Sequence, residues 1–377
     1  MLWIESAHQC LVRAGGDVCA NAVRVSRTED SFFAVHVGAP RNDHEGQKEA
    51  TLIADKAASM LARNMPLDPV VGAMLSLLPQ GEHVPFSMIQ VVGGCEAYVA
   101  ECDAPPLFLT RGGQLAMPSV LEEVSSGRLI RRCQTLLRDG DHIVMISEGY
   151  LRRKGWRWGW PDVAIAVQRW GDTRCDADEL LGALVRTYER LDPEPLQEDA
   201  SIVAMYVRPE RHATVWTGPP ADKAQDEAAL EKMMEERDVR IICGDTTADI
   251  AARLLETKVE MEPRPEDGPN GEHPWAEVPP ISRVEGIDLV TEGLVTLRKA
   301  QERIARASRP RDLPRKKDGA TRLARALLAA DRIHFIVGMG VNPQQVDESG
   351  VPLRRSAVEE LVRDLETHGK IVSVEYI

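Results

Sequence analysis

The hydrophobic rhythm of this chain changes near residue 210, and that change limits its fold more than any single motif does. Before it, short apolar runs recur between turn residues. Ala22–Ser26 and Phe32–Val37 flank the polar stretch Arg27–Asp30, and further runs occupy Phe86–Val92, Ala97–Glu101, Leu107–Thr110, His142–Ile146 and Ser201–Val207. Such runs read as strands, and the polar turn between the first two predicts a hairpin. Helical spacing interrupts them at Glu45–Arg63 (through Ala50, Ile53, Ala57, Met60 and Leu61), at Pro66–Leu78 and at Ala177–Glu189. Strands in groups with helices set apart predict an α+β sandwich with segregated layers over residues 1–210.

Between Arg208 and Asp222 stand Pro209, Gly218, Pro219 and Pro220, residues that interrupt helix and strand interiors, and the connection between two domains is expected there. Beyond it helices alternate with short apolar strands. The expected helices are Gln225–Glu236, Ala248–Leu255, Val284–Ala307, Ala320–Ala330 and Ser356–His368. The expected strands are Val239–Cys243, Ile333–Val337 and Ile371–Tyr376, with an irregular proline-rich segment at Pro263–Pro280. This alternation predicts a smaller α/β domain with parallel strands over residues 223–377.

With 377 residues the chain is long enough for two cores. A formal net charge of −13 opposes nonspecific binding to nucleic acid or to an anionic membrane, because both require basic surface. The seven cysteines are scattered without a Cys-x-x-Cys pair, which points to free thiols in a reducing compartment. No apolar run approaches a membrane span, and the first residues lack a basic region followed by an apolar one, so a cytoplasmic location is expected.

Five segments in order carry a family resemblance: Gly16–Asn21, Pro85–Gln90, Asp103–Pro106, Gly140–Gly149 and Glu198–Ile202. Together they resemble the stage II sporulation protein E branch of the metal-dependent (type 2C) serine/threonine phosphatases. Cys243–Asp249 and Val284–Gly293 resemble an α/β extension that follows this domain in some bacterial members. The resemblance implies a two-sheet β-sandwich flanked by helices. It also implies two Mn²⁺ or Mg²⁺ ions between the sheets, activating a water for in-line attack on phosphoserine or phosphothreonine. The family's four acidic ligands fall on Asn21, Gly38, Glu148 and Asp199. Asn21 brings no charge and Gly38 no side chain, so metal binding is expected to be weak or absent. Asp17, Asp43, His44 and Glu45 lie close enough in sequence to replace the lost ligands, and read otherwise as turn and helix-start residues.

Two further groups of residues attract attention. Arg152–Trp160 places Arg152 and Arg153 beside Trp156 and Trp158, a combination that suits docking of a phosphorylated partner and equally a basic turn capping the sheet. Gly244, Thr246 and Thr247 lie between a strand and a helix, where free N–H groups can hold an anion, or where Asp245, Thr246 or Thr247 can cap the helix. Two functional readings follow. One is a phosphatase-lineage regulator that acts on a phosphorylated partner of the anti-sigma antagonist kind. The other is a pseudophosphatase that binds such a partner without turning it over.

Overall fold

The computed structural model describes the chain apart from residues 80, 126, 153–157, 174, 192–195, 236–238, 263–279, 308 and 343–344. It divides into two units, Met1–Pro209 and Glu210–Ile377.

In the first unit the elements run β1 (Leu2–Leu11), β2 (Ala22–Arg27), β3 (Ser31–Val37), α1 (His44–Leu61), α2 (Leu67–Leu77), β4 (Phe86–Val92), β5 (Glu96–Cys102), β6 (Phe108–Arg111) and β7 (Gln114–Ala116). They continue with β8 (Val120–Ser125), β9 (Arg128–Leu136), β10 (His142–Ile146), α3 (Glu148–Leu151), α4 (Trp160–Gly171), α5 (Ala177–Leu191) and β11 (Ala200–Pro209). Two antiparallel sheets form, in the orders β1-β11-β10-β6-β7 and β2-β3-β4-β5-β9-β8. The predicted hairpin is present, with Arg27 opposite Phe32.

Alternation along the central strands explains the layering, since successive side chains point to opposite faces. In β3, Phe33, Val35 and Val37 pack under α1 and α2, while Phe32 and Ala34 face the other sheet. In β11, Ile202 and Ala204 pack under α4 and α5, while Val203, Met205 and Val207 face inward. Three apolar layers therefore stack in a helix–sheet–sheet–helix sandwich, as expected.

The second unit runs β12 (His212–Thr217), α6 (Asp226–Glu235), β13 (Val239–Cys243), α7 (Asp245–Leu254), β14 (Glu260–Met261), β15 (Ile281–Arg283) and β16 (Leu289–Thr291). It ends with α8 (Leu294–Ile304), α9 (Gly319–Ala329), β17 (Arg332–Val337), α10 (Leu353–Thr367) and β18 (Ile371–Tyr376). Its sheet has the order β14-β15-β16-β13-β12-β17-β18, and the strands from β16 to β18 pair in parallel. One face is covered by α6 and α7, the other by α8, α9 and α10.

Two expectations require correction here. The stretch expected to be connection contains β12, the middle strand of the parallel set, so the second unit includes residues 210–222. The helix expected over Val284–Ala307 begins only at Leu294, because Leu289–Thr291 pairs with β13 as β16. Among the described residues no helix is long and apolar enough to cross a membrane.

Candidate functional site

The positions singled out by the resemblance meet at one end of the first unit's sandwich, where Asn21 precedes β2, Gly38 follows β3, Asp199 precedes β11 and Glu148 opens α3. Asp199 is 3% exposed, and both its carboxylate oxygens accept backbone hydrogen bonds. Oδ1 takes the N–H of Arg13 and Oδ2 that of Ala20, each at 2.8 Å. The carboxylate therefore pins the loop between β1 and β2 to the start of β11.

Asn21 is held just as fully. Its Nδ2 donates to Ser201 Oγ at 3.0 Å and to the Asp199 carbonyl at 3.5 Å, and its Oδ1 accepts from the Ala39 N–H at 3.2 Å. Gly38 is buried, and its N–H donates to the Pro85 carbonyl at 2.7 Å. A Cβ at this position would lie 2.7 Å from Pro85 Cγ, so any side chain would press into the proline ring.

Glu148 turns to Arg152 and His83. Its carboxylate lies 2.9 Å from Arg152 Nη2 and 3.3 Å from His83 Nε2. A link to Asp199 runs through the backbone, since Ser147 N donates to the Ser201 carbonyl and Ser201 N donates to Ser147 Oγ.

His36 occupies the centre of this end of the sandwich. It shares parity with the inward-facing Phe32 and Ala34 of β3 and is 2% exposed. Its Nε2 lies 2.7 Å from Ser201 Oγ, while Nδ1 is buried without a partner. An unpaired buried N–H costs more than an unpaired lone pair, so the economical arrangement is neutral, with the proton on Nε2 and donated to Ser201. Burial pushes the imidazole pKa down to about 4. His36, Ser201, Asn21 and Asp199 thus form a continuous hydrogen-bonded plug. Sequence reasoning passed over His36 and Ser201, although a single histidine inside the apolar run Phe32–Val37 was the available signal.

This donor set does not fit a pair of Mn²⁺ or Mg²⁺ ions, which need several oxygen ligands and carboxylate charge. One position has no side chain, one is an amide turned to other partners, and the two carboxylates are taken up by backbone amides and by Arg152 and His83. Among the described residues no group of three His, Cys, Asp or Glu side chains gathers as metal ligands. The substitutes suggested by sequence do not supply them. Asp17 is exposed, Asp43 caps α1 through the Gly46 N–H, His44 is exposed, and Glu45 pairs with Lys48.

The cationic and aromatic candidates fall partly outside the described residues, which exclude Arg153 and Trp156. Arg152 is exposed and bridges Glu148 and Glu198. Trp158 packs edge-on to Tyr150 and donates its Nε1–H to the Tyr150 carbonyl at 3.0 Å. That contact holds it, partly buried, in the layer over the five-stranded sheet. In the second unit, the residue before α7 is Gly244 and no side chain caps that helix, so the capping expected of Asp245, Thr246 or Thr247 is absent.

No protein-family model matches the chain, and no curated protein matches it. Solved structures do. The phosphatase domain of the cell fate determinant SpoIIE from Bacillus subtilis is 13% identical, with a TM-score of 0.43, covering 55% of this chain and 93% of that one. The RsbU and RsbW domains of Rv1364c from Mycobacterium tuberculosis are 14% identical, with a TM-score of 0.47, covering 62% and 67%. The SiaA-PP2C domain of Pseudomonas aeruginosa is 16% identical, with a TM-score of 0.42, covering 53% and 84%.

Proposed function

We propose that the first unit is a regulatory module of type 2C phosphatase lineage that binds a phosphorylated signalling protein without hydrolysing it. The observation that carries this reading is the pair of backbone hydrogen bonds on Asp199, at the one ligand position where the aspartate is retained. The carboxylate that would hold a metal instead fixes a loop. Beside it, His36, Ser201 and Asn21 fill the end of the cleft, with His36 and Asn21 both bonded to Ser201 Oγ. In-line attack by water needs a metal pair to generate hydroxide near neutral pH, and this lining supplies too few free carboxylates to hold one. Arg152 is exposed at the rim and suits recognition of a phosphate or acidic group by charge-assisted hydrogen bonds. The partner chemistry is that of a phosphorylated anti-sigma antagonist.

The test is hydrolysis of p-nitrophenyl phosphate by the full chain with Mn²⁺, run beside calorimetric titration of Mn²⁺. Turnover close to the enzyme-free control, with no Mn²⁺ binding at millimolar concentration, is expected. Robust turnover abolished by a chelator would overturn the reading and make the chain an Mn²⁺-dependent phosphatase.

A further inference from the structure

The parallel strands of the second unit, numbered by their order in the chain, lie in the sequence 3-2-1-4-5, as β16-β13-β12-β17-β18. The chain leaves β12 toward one edge of the sheet and returns at β17 on the other side. The switch point therefore lies between the carboxyl ends of β12 and β17, the position where doubly wound sheets open a crevice for ligands. The residues there are Gly218 after β12, Gly338 and Gly340 after β17, and Arg354 in the first turn of α10.

Arg354 is the unusual group. Its Nη1 donates to the Gly338 carbonyl at 2.9 Å and the Gly340 carbonyl at 3.2 Å, and its remaining donors have no partner among the described residues. A Cβ on Gly218 would collide with its guanidinium, so the glycine is what lets the charge lie against the β12 loop. The next residue, Arg355, pairs with Glu359 at 2.9 Å, whereas Arg354 has no carboxylate partner among the described residues and burial alone lowers its pKa. A half-buried guanidinium with spare donors and no counter-ion is costly unless an anion completes it.

A second group faces the same edge. Thr247 is fully buried and its Oγ1 has no partner. A Cβ on Gly244, which has φ +131°, would lie 3.3 Å from that oxygen and 3.9 Å from Gly218 N. The hydroxyl thus borders the gap left by Gly244, directly across from the β12 loop. The neighbouring carboxylates, Asp245 and the half-buried Glu292, repel each other electrostatically and make a polyanion unsuitable at that end.

We propose that this edge binds a small molecule carrying a single phosphate group, with Arg354 as its counter-ion and Thr247 as a hydroxyl donor. The proposal stands apart from the reading of the first unit. It is tested by calorimetric titration of the full chain with inorganic phosphate and, separately, with AMP, using adenosine as the uncharged control. Binding of phosphate or AMP at or below about 1 mM is expected, with none for adenosine. AMP binding tighter than phosphate assigns a nucleotide, and equal affinities assign the phosphate group alone. Arg354→Gln should weaken binding about tenfold or more, since a charge-assisted contact is lost. Thr247→Val should also weaken it, yet leave the melting temperature of the ligand-free chain unchanged or raised, because the hydroxyl is unsatisfied without ligand. The absence of heat with both phosphate and AMP would overturn the proposal. So would an affinity that Thr247→Val leaves at the wild-type value, a result that holds even if Arg354→Gln does not fold.

Discussion

At position 38 a side chain meets a tight neighbour. The glycine lies against the rigid ring of Pro85, with Cγ 2.7 Å from where a Cβ would stand. Gly38→Asp is expected to lower stability by about 1–3 kcal/mol through overpacking and to leave Mn²⁺ binding undetectable, measured by urea unfolding and calorimetry. His36 makes a separate prediction from its pKa of about 4 against an ordinary 6.5. Between those values the unfolded chain binds a proton that the folded chain does not. The contribution is therefore complete above pH 6.5, falls with decreasing pH through the window, and is gone below 4. Its full size is about 3 kcal/mol. The stability difference between the wild-type chain and His36→Gln, followed by urea unfolding from pH 7 to pH 4.5, should shift against the wild type. A difference that stays constant across that range would contradict the buried neutral imidazole.

At the scale of elements, the passage from β10 through α3 to α4 decides what the tryptophans do. Trp158 holds Tyr150, whose ring stacks on Tyr188 with centroids 4.5 Å apart under α5. Trp158→Ala is therefore expected to destabilise the chain by about 2–4 kcal/mol in urea unfolding, below or within the range for large aromatic truncations because the ring is only partly buried. Arg152→Ala should change stability by less than about 1 kcal/mol, since its ion pairs are exposed. The sequence did not announce β8 and β9. In the edge strand β8 nearly every residue is exposed, and β9 beside it is interrupted by Arg128, Arg131, Arg132 and Gln134, so neither carries the apolar run of a covered strand. β16 was absorbed into a helix because three residues cannot distinguish the two periods.

Taken as a whole molecule, the two units have separate cores, and the boundary can be tested with fragments. Residues 1–209 and 210–377 are each expected to unfold cooperatively on their own. A fragment starting at 223 should fail to fold, because it lacks β12 and with it the pairing of β13 and β17 to a common neighbour. Circular dichroism and thermal melts of the three fragments decide this, and a folded 223–377 would refute it. The layering of the first unit was determined by its sequence, since the near-continuous apolar runs of β3 and β11 suit strands covered on both faces. The residues at the positions the resemblance singles out, Asn21 and Gly38 among them, were equally legible, because they are fixed by the chain itself. Only the tertiary structure decided the fate of the groups that remained. Asp199 became a loop anchor, Glu148 an ion-pair partner, and His36 a buried neutral ring bonded to Ser201, 165 residues away. Likewise the place of β12 depended on neighbours distant in sequence, against local prolines that read as a break. The physical reason is common to all of these. Periodicity and side-chain loss are properties of the chain, whereas a polar group's partners are set by what long-range packing brings beside it.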